Sequence, residues 1–143
     1  MKGKIRQVLG AMTPFPYNIR ADATANEAAL TMRELDIRHL PVVEGQTIVG
    51  LLSRRELDVV GLLGGLMDQV RVGELCTKDP YVVDVSARLD DVVEEMSRRK
   101  IGSALVLQNG KLAGILTTTD VCRILAETLR MNASLPPDGD EAA

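Results

Sequence analysis

No tryptophan occurs in this chain, and phenylalanine and tyrosine together number three. So few rings cannot build the stacking platform that holds single-stranded nucleic acid. A basic surplus is missing too. The 17 Lys and Arg are outnumbered by 20 Asp and Glu, mixed along the chain, for a formal charge of −3. No basic face is left to neutralise a phosphate backbone, so nucleic acid is not an expected partner. Apolar runs of transmembrane length are absent, as is a signal-peptide pattern. A membrane partner is therefore not expected, and the expected location is cytoplasmic. With a single histidine, His39, a metal site lacks the several convergent ligands it needs. Cysteine is limited to Cys76 and Cys122, in apolar surroundings and with no C-x-x-C pairing. Both read as buried thiols in a reducing compartment.

Catalytic signatures are missing as well. There is no Ser-His-Asp set, no P-loop and no G-x-G-x-x-G after a strand. The glycine-rich "GGLMDQ" lacks the lysine a P-loop needs and lies in an apolar, helical context. The expectation is a protein that is not an enzyme. What is present is enough apolar residue, 45% of 143, to bury one sizeable core.

The strongest positive signal is internal repetition. A constant shift of 64 residues lays 12–57 on 76–121 without a gap. Thr13 meets Thr77, Pro16-Tyr17 meets Pro80-Tyr81, Met32 meets Met96, and Gly50 meets Gly114. Each copy reads as a short strand, a helix, a hairpin and a second helix. Thr24 and Glu27 have capping-box spacing, with Ala28, Met32 and Leu35 on one face of the helix behind them. The second copy offers Leu89, Val92, Val93 and Met96, with Asp90 and Asp91 in the first turn, where the helix dipole favours acids. Asn109-Gly110 between two apolar runs signals a hairpin, and Glu44-Gly45-Gln46 holds the matching place. "LDVVGLLGGLMDQV" is apolar nearly all round and is expected to continue the second helix of the first copy. Two such units pair most economically about a pseudo-two-fold axis, with a cleft on each side.

The double unit, with "VLGAMTPFP" and "VGELCTKDP" leading in, "RHLPVV" in the first hairpin and "GILTTTD" closing the second, resembles a tandem CBS (cystathionine β-synthase) domain pair. The resemblance covers about residues 5–131. It implies a mixed α/β (α+β) fold of two β-α-β-β-α repeats, 5–67 and 68–131, related by a pseudo-two-fold axis. An acidic, Pro- and Gly-containing tail, 132–143, is expected to be disordered. The resemblance further implies an adenosine-containing regulatory ligand in an inter-repeat cleft: AMP, ADP, ATP or S-adenosylmethionine. No cofactor is required.

In that family the motif G-h-h-[ST]-x-x-D gives its acid to the ribose hydroxyls and its Ser or Thr to the phosphate. Gly114, Thr117 and Asp120 match it fully; Gly50, Ser53 and Glu56 match with Glu for Asp. A carboxylate suits a cis-diol, since it accepts from both hydroxyls. Asp120 also suits the simpler task of capping the next helix. The extra methylene of Glu56 carries its carboxylate about 1.5 Å further, past a ribose or back to Arg54 or Arg55. The Asp120 cleft is thus the expected working site. Arg38 and His39 stand where the family places phosphate ligands, or are ordinary surface residues. Tyr17 and Tyr81, beside Ile19 and Val83, flank an adenine or pack at the rim. Lys100 and Lys111 read as simply exposed. Gly50 and Gly114 permit close approach within a strand, by a ligand or by the other repeat.

The function expected is a ligand-sensing module that signals to a regulated protein. The alternative is a dimerisation or scaffold module with empty clefts. In either case the apolar helices at 57–67 and 121–129 are expected to make a homodimer.

Overall fold

The computed structural model describes residues 6–14 and 16–133. A short 3-10 turn, Val8–Gly10, leads into β1 (Thr13–Pro14) and β2 (Ile19–Arg20), followed by α1 (Ala25–Leu35). The hairpin β3 (His39–Glu44) and β4 (Thr47–Ser53) runs into α2 (Arg54–Leu62). The second copy repeats this with α3 (Val72–Leu75), β5 (Val82–Asp84), α4 (Leu89–Arg99), β6 (Ser103–Gln108), β7 (Lys111–Thr117) and α5 (Thr118–Ala133).

Local sequence explains each boundary. The Thr24 backbone N–H donates to Glu27 Oε1 at 2.7 Å, and the Glu27 N–H donates to Thr24 Oγ1 at 3.1 Å, so α1 begins on the expected capping box. Helices α1 and α4 end at Asp36 and Lys100, both left-handed (φ 53° and 56°). The hairpins turn on two residues each. Asn109 and Gly110 both have positive φ, whereas in the first copy only Gly45 does, and Glu44 faces Thr47.

One expected element is shorter than its apolar sequence suggested. Helix α2 stops at Leu62, because Gly64 and Gly65 adopt φ 59° and 64° and turn the chain back. Leu66 and Met67 then pack onto the first core, while Leu62 and Leu63 stay exposed. The stretch 57–67 is therefore not one helix. Cys76 is buried as expected, but Cys122 is exposed, because it lies on the outward side of α5. Asn132 and Ala133, assigned to the tail on sequence, end α5; the rest of the tail, 134–143, lies outside the described residues.

The strands form two sheets, one ordered β1-β7-β6-β5 and the other β2-β3-β4. Strand β1 comes from the first repeat yet pairs with β7 of the second, Thr13 opposite Ile115. The reciprocal bridge joins Thr77 to Leu51 of β4. The lead-ins cross over throughout: the Val8 N–H donates to Ala87 O at 2.9 Å, and the Val72 N–H to Ala23 O at 2.8 Å. Every one of these pairs is related to its mate by the shift of 64. Each core accordingly borrows from the other copy. Met32, Leu40, Val42 and Leu52 close around Val72 and Cys76, while Val92, Met96, Ala104 and Leu116 close around Val8 and Ala11. Burying each large side chain contributes about 1.5–3 kcal/mol, so the exchange ties the repeats by packing as well as by hydrogen bonds.

Both strand glycines follow from this exchange. A Cβ on Gly114 would stand 2.5 Å from Met12 Sδ and 2.7 Å from Thr13 O. On Gly50 it would stand 2.5 Å from Cys76 Sγ and 2.6 Å from Thr77 O. The close neighbour is the lead-in of the other repeat.

Candidate functional site

Each hairpin ends at a helix start, and there the motif acids lie. Glu56 is the third residue of α2; its Oε1 accepts the Ser53 backbone N–H at 2.8 Å and the Ser53 hydroxyl at 3.3 Å. Its Oε2 accepts the Thr77 hydroxyl at 2.5 Å. Asp120 is the third residue of α5; its Oδ2 accepts the Thr117 N–H at 2.9 Å and the Thr117 hydroxyl at 3.1 Å. Its Oδ1 accepts the Thr13 hydroxyl at 3.1 Å. The two acids therefore make the same bonds: one oxygen to the end of their own strand, the other to the threonine of the crossed-over lead-in. The longer Glu56 reproduces this pattern and turns toward neither Arg54 nor Arg55. Asp120 caps as expected, though from the third helical position rather than the N-cap.

The surroundings of the acids differ. Asp120 is buried, 7% exposed, and Arg123 reaches across to Ala11 O at 3.0 Å and Asp120 Oδ1 at 3.5 Å. Arg123 has Val59 as its counterpart, so nothing pins Glu56 this way. Glu56 is half-buried at the wall of a cleft of about 640 Å³ between the repeats. Arg38, His39, Ser53, Arg54 and Arg55 line it from the first repeat. Thr77, Asp79, Tyr81, Arg99, Lys100 and Ser103 line it from the second.

Of the residues expected at a site, Arg38, His39, Ser53, Glu56 and Tyr81 share this cleft. Thr117, Asp120 and Gly114 form the equivalent corner of the second repeat. Tyr17 is exposed, and Val83 packs against the second core. Tyr81 also touches that core with part of its ring. Arg99 lies over the ring, 4.8 Å from its centroid, in cation–π contact. Burial pushes His39 below the ordinary histidine range; Glu56 opposes the shift and Arg38 adds to it. The uncharged imidazole is thereby favoured. Burial likewise raises the Tyr81 phenol.

Sequence reasoning did not count Thr13, Thr77, Arg99 or Arg123 as site residues, and read Lys100 as simply exposed. The first two carried a signal, since the same threonine recurs at the 64-residue shift. The basic pair before Ile101 carried none: at the matching places stand Leu35 and Asp36. The cleft can hold an anion at its basic rim and a planar or sugar group near Tyr81 and Glu56. Among the described residues no cluster of three or more His, Cys, Asp or Glu could hold a metal ion.

A family model for the CBS domain matches this chain twice, over residues 5–58 and 72–127. The chain belongs to the CBS-domain family. Hypoxic response protein 1 of Mycobacterium tuberculosis is 32% identical to this CBS pair over 106 residues, 73% of this chain and 74% of that protein. Among solved structures, the AcuB protein of Vibrio cholerae, assigned to acetoin utilization, superposes with a TM-score of 0.80 at 28% identity, covering 94% of this chain and 100% of the other. The structure of CBSX2 in complex with AMP superposes at 0.72 with 28% identity, covering 86% and 98%.

Proposed function

We propose that this CBS pair is a regulatory, non-catalytic module that binds an adenosine-containing nucleotide in the cleft beside Glu56 and signals its presence to a partner protein. One observation carries the reading: a cleft of about 640 Å³ at the repeat junction gathers Ser53, Glu56, Tyr81, Arg38 and His39. The AMP complex of a neighbour at 28% identity supports the ligand class. The sequence had favoured the Asp120 cleft. Asp120, with its carboxylate buried and its oxygens held by Thr13, Thr117 and Arg123, offers a ligand less than Glu56 does. A nucleotide sugar at Glu56 competes with the Thr77 hydroxyl, which lies on the crossed-over lead-in. Binding thereby bears on the joint between the repeats, and that is the route of the signal.

A second reading has its own support. Val59, Leu62 and Leu63 leave α2 with an exposed apolar face, and Leu125 and Leu129 do the same for α5. Such patches mark interaction surfaces, and a homodimer formed through them serves either a sensor or a bare scaffold.

Thermal denaturation with a panel of adenosyl compounds separates the two. A sensor shows a rise of about 5–10 °C at a hundred times Kd. No rise with any of them at millimolar concentration leaves the scaffold.

A further inference from the structure

Five cationic side chains line the cleft, Arg38, Arg54, Arg55, Arg99 and Lys100, against three acids, Glu56, Asp58 and Asp79. This is a positive site on a chain whose formal charge is −3. The acids do not neutralise it. Glu56 is held by Ser53 and Thr77, and Asp58 faces Arg54 at 3.7 Å. Arg38, Arg55 and Lys100 have no acidic partner among the described residues. Arg54 is paired with Asp58 and Arg99 with Glu95 at 3.8 Å, which leaves three cations in one cleft without a counter-ion. Like charges so gathered repel one another, a cost that an anionic ligand relieves.

The duplication shows that the cations are not part of the repeat itself. At the 64-residue shift Arg54 and Arg55 become Thr118 and Thr119, Arg99 corresponds to Leu35, and Lys100 to Asp36. Two of the four come from α2 and two from the end of α4, so they converge from opposite walls. A chain of phosphates offers such a set more charge and more oxygens than a single phosphate does.

We infer that the Glu56 cleft selects a nucleoside polyphosphate, a di- or triphosphate, over the monophosphate, the uncharged nucleoside and the sulfonium of S-adenosylmethionine. The inference rests on the nucleotide reading above and adds which residues set the choice: Arg54 and Arg55 on one wall, Arg99 and Lys100 on the other. Guanidinium groups bind phosphate oxygens in pairs, which favours arginine at three of the four places.

The test is calorimetry with adenosine, AMP, ADP, ATP and inorganic tripolyphosphate in magnesium-free buffer at fixed ionic strength. Affinity is expected to rise about tenfold with each added phosphate, and that of ATP is expected to fall more steeply with salt than that of AMP. In the double variant Arg55→Gln, Lys100→Gln, both positions exposed and without acidic partners, the ATP-to-AMP ratio is expected to collapse to within threefold. Equal affinity for AMP and ATP in the wild type overturns this inference and leaves the nucleotide reading standing. No binding of any adenosine compound overturns that reading itself. Tripolyphosphate bound as tightly as ATP also overturns the inference, because the cleft is then a site for bare polyanions.

Discussion

The two halves of this molecule hold an acid, Glu56 in one and Asp120 in the other, in the same hydrogen-bond pattern and surround it differently. Around Asp120 the neighbours are threonines and Arg123, the carboxylate is buried, and a guanidinium ties it to the first lead-in. Around Glu56 the neighbours are five cations, of which Arg38, Arg55 and Lys100 have no acidic partner among the described residues, and the carboxylate stands at the edge of open space. The pairing of acid and threonine is structural: it fastens each lead-in to the helix start of the other copy. Ligand specificity, on the account proposed here, lies in what has diverged around that joint.

The largest expected effect tests the joint. Gly114→Ala places a methyl group 2.7 Å from a backbone oxygen, and Gly50→Ala one at 2.6 Å. Each is expected to lower the unfolding free energy by about 2–4 kcal/mol in urea titrations, since a backbone must shift to admit it. A large loss in one and none in the other would break the symmetry of the exchange.

Next in size are the acids. Asp120→Ala removes a buried carboxylate and leaves the part-buried Thr117 N–H and the more exposed Thr13 hydroxyl without their acceptor, and is expected to cost about 1–3 kcal/mol. Glu56→Ala, partly solvated, is expected to cost about 1 kcal/mol but to weaken nucleotide binding at least tenfold, having removed a charged acceptor. Equal stability losses would show that the difference in burial carries no energetic weight.

Exposed apolar faces give a third effect. Leu62→Glu with Leu125→Glu is expected to turn a dimer into a monomer in light scattering, with the thermal shift by nucleotide retained. A wild type that is monomeric at high micromolar concentration would remove the homodimer.

The smallest effect concerns pH. The folded-state pKa of His39 is depressed, so the unfolded chain binds the proton more readily. Stability is therefore full above the unfolded value near 6.5 and is lost as pH falls through it toward the folded value. The melting temperature is expected to drop between pH 7.5 and 5.5 by less in His39→Gln than in the wild type. A bound polyanion is expected to shrink the drop, because it favours the charged imidazole.

Much of this was legible in the sequence, and the rest was hidden for physical reasons. Periodicity and caps disclosed the repeats, since Thr24–Glu27, Asn109-Gly110 and the stripe of Leu89, Val92 and Met96 act within a few residues of one another. The crossing of the lead-ins was hidden, because a two-residue strand such as Thr13–Pro14 carries no periodic pattern of its own. Only the glycines facing it hinted that something passed close by. The end of α2 was misread because apolar content outweighed Gly64-Gly65, and its last hydrophobics fold back instead of continuing the helix. The cleft was half legible. Arg38, His39, Ser53, Glu56 and Tyr81 were singled out as candidates, but Arg99 and Lys100 join them only when the end of α4 is brought beside the start of α2.

The central claim is that the Glu56 cleft, and not the Asp120 corner, receives the ligand. A crystal structure of the protein with ATP tests it most directly. The account predicts one nucleotide per chain, its sugar near Glu56 and its phosphates between Arg54 and Arg55 on one side and Arg99 and Lys100 on the other. A nucleotide lodged against Asp120 with Thr13 displaced would contradict it.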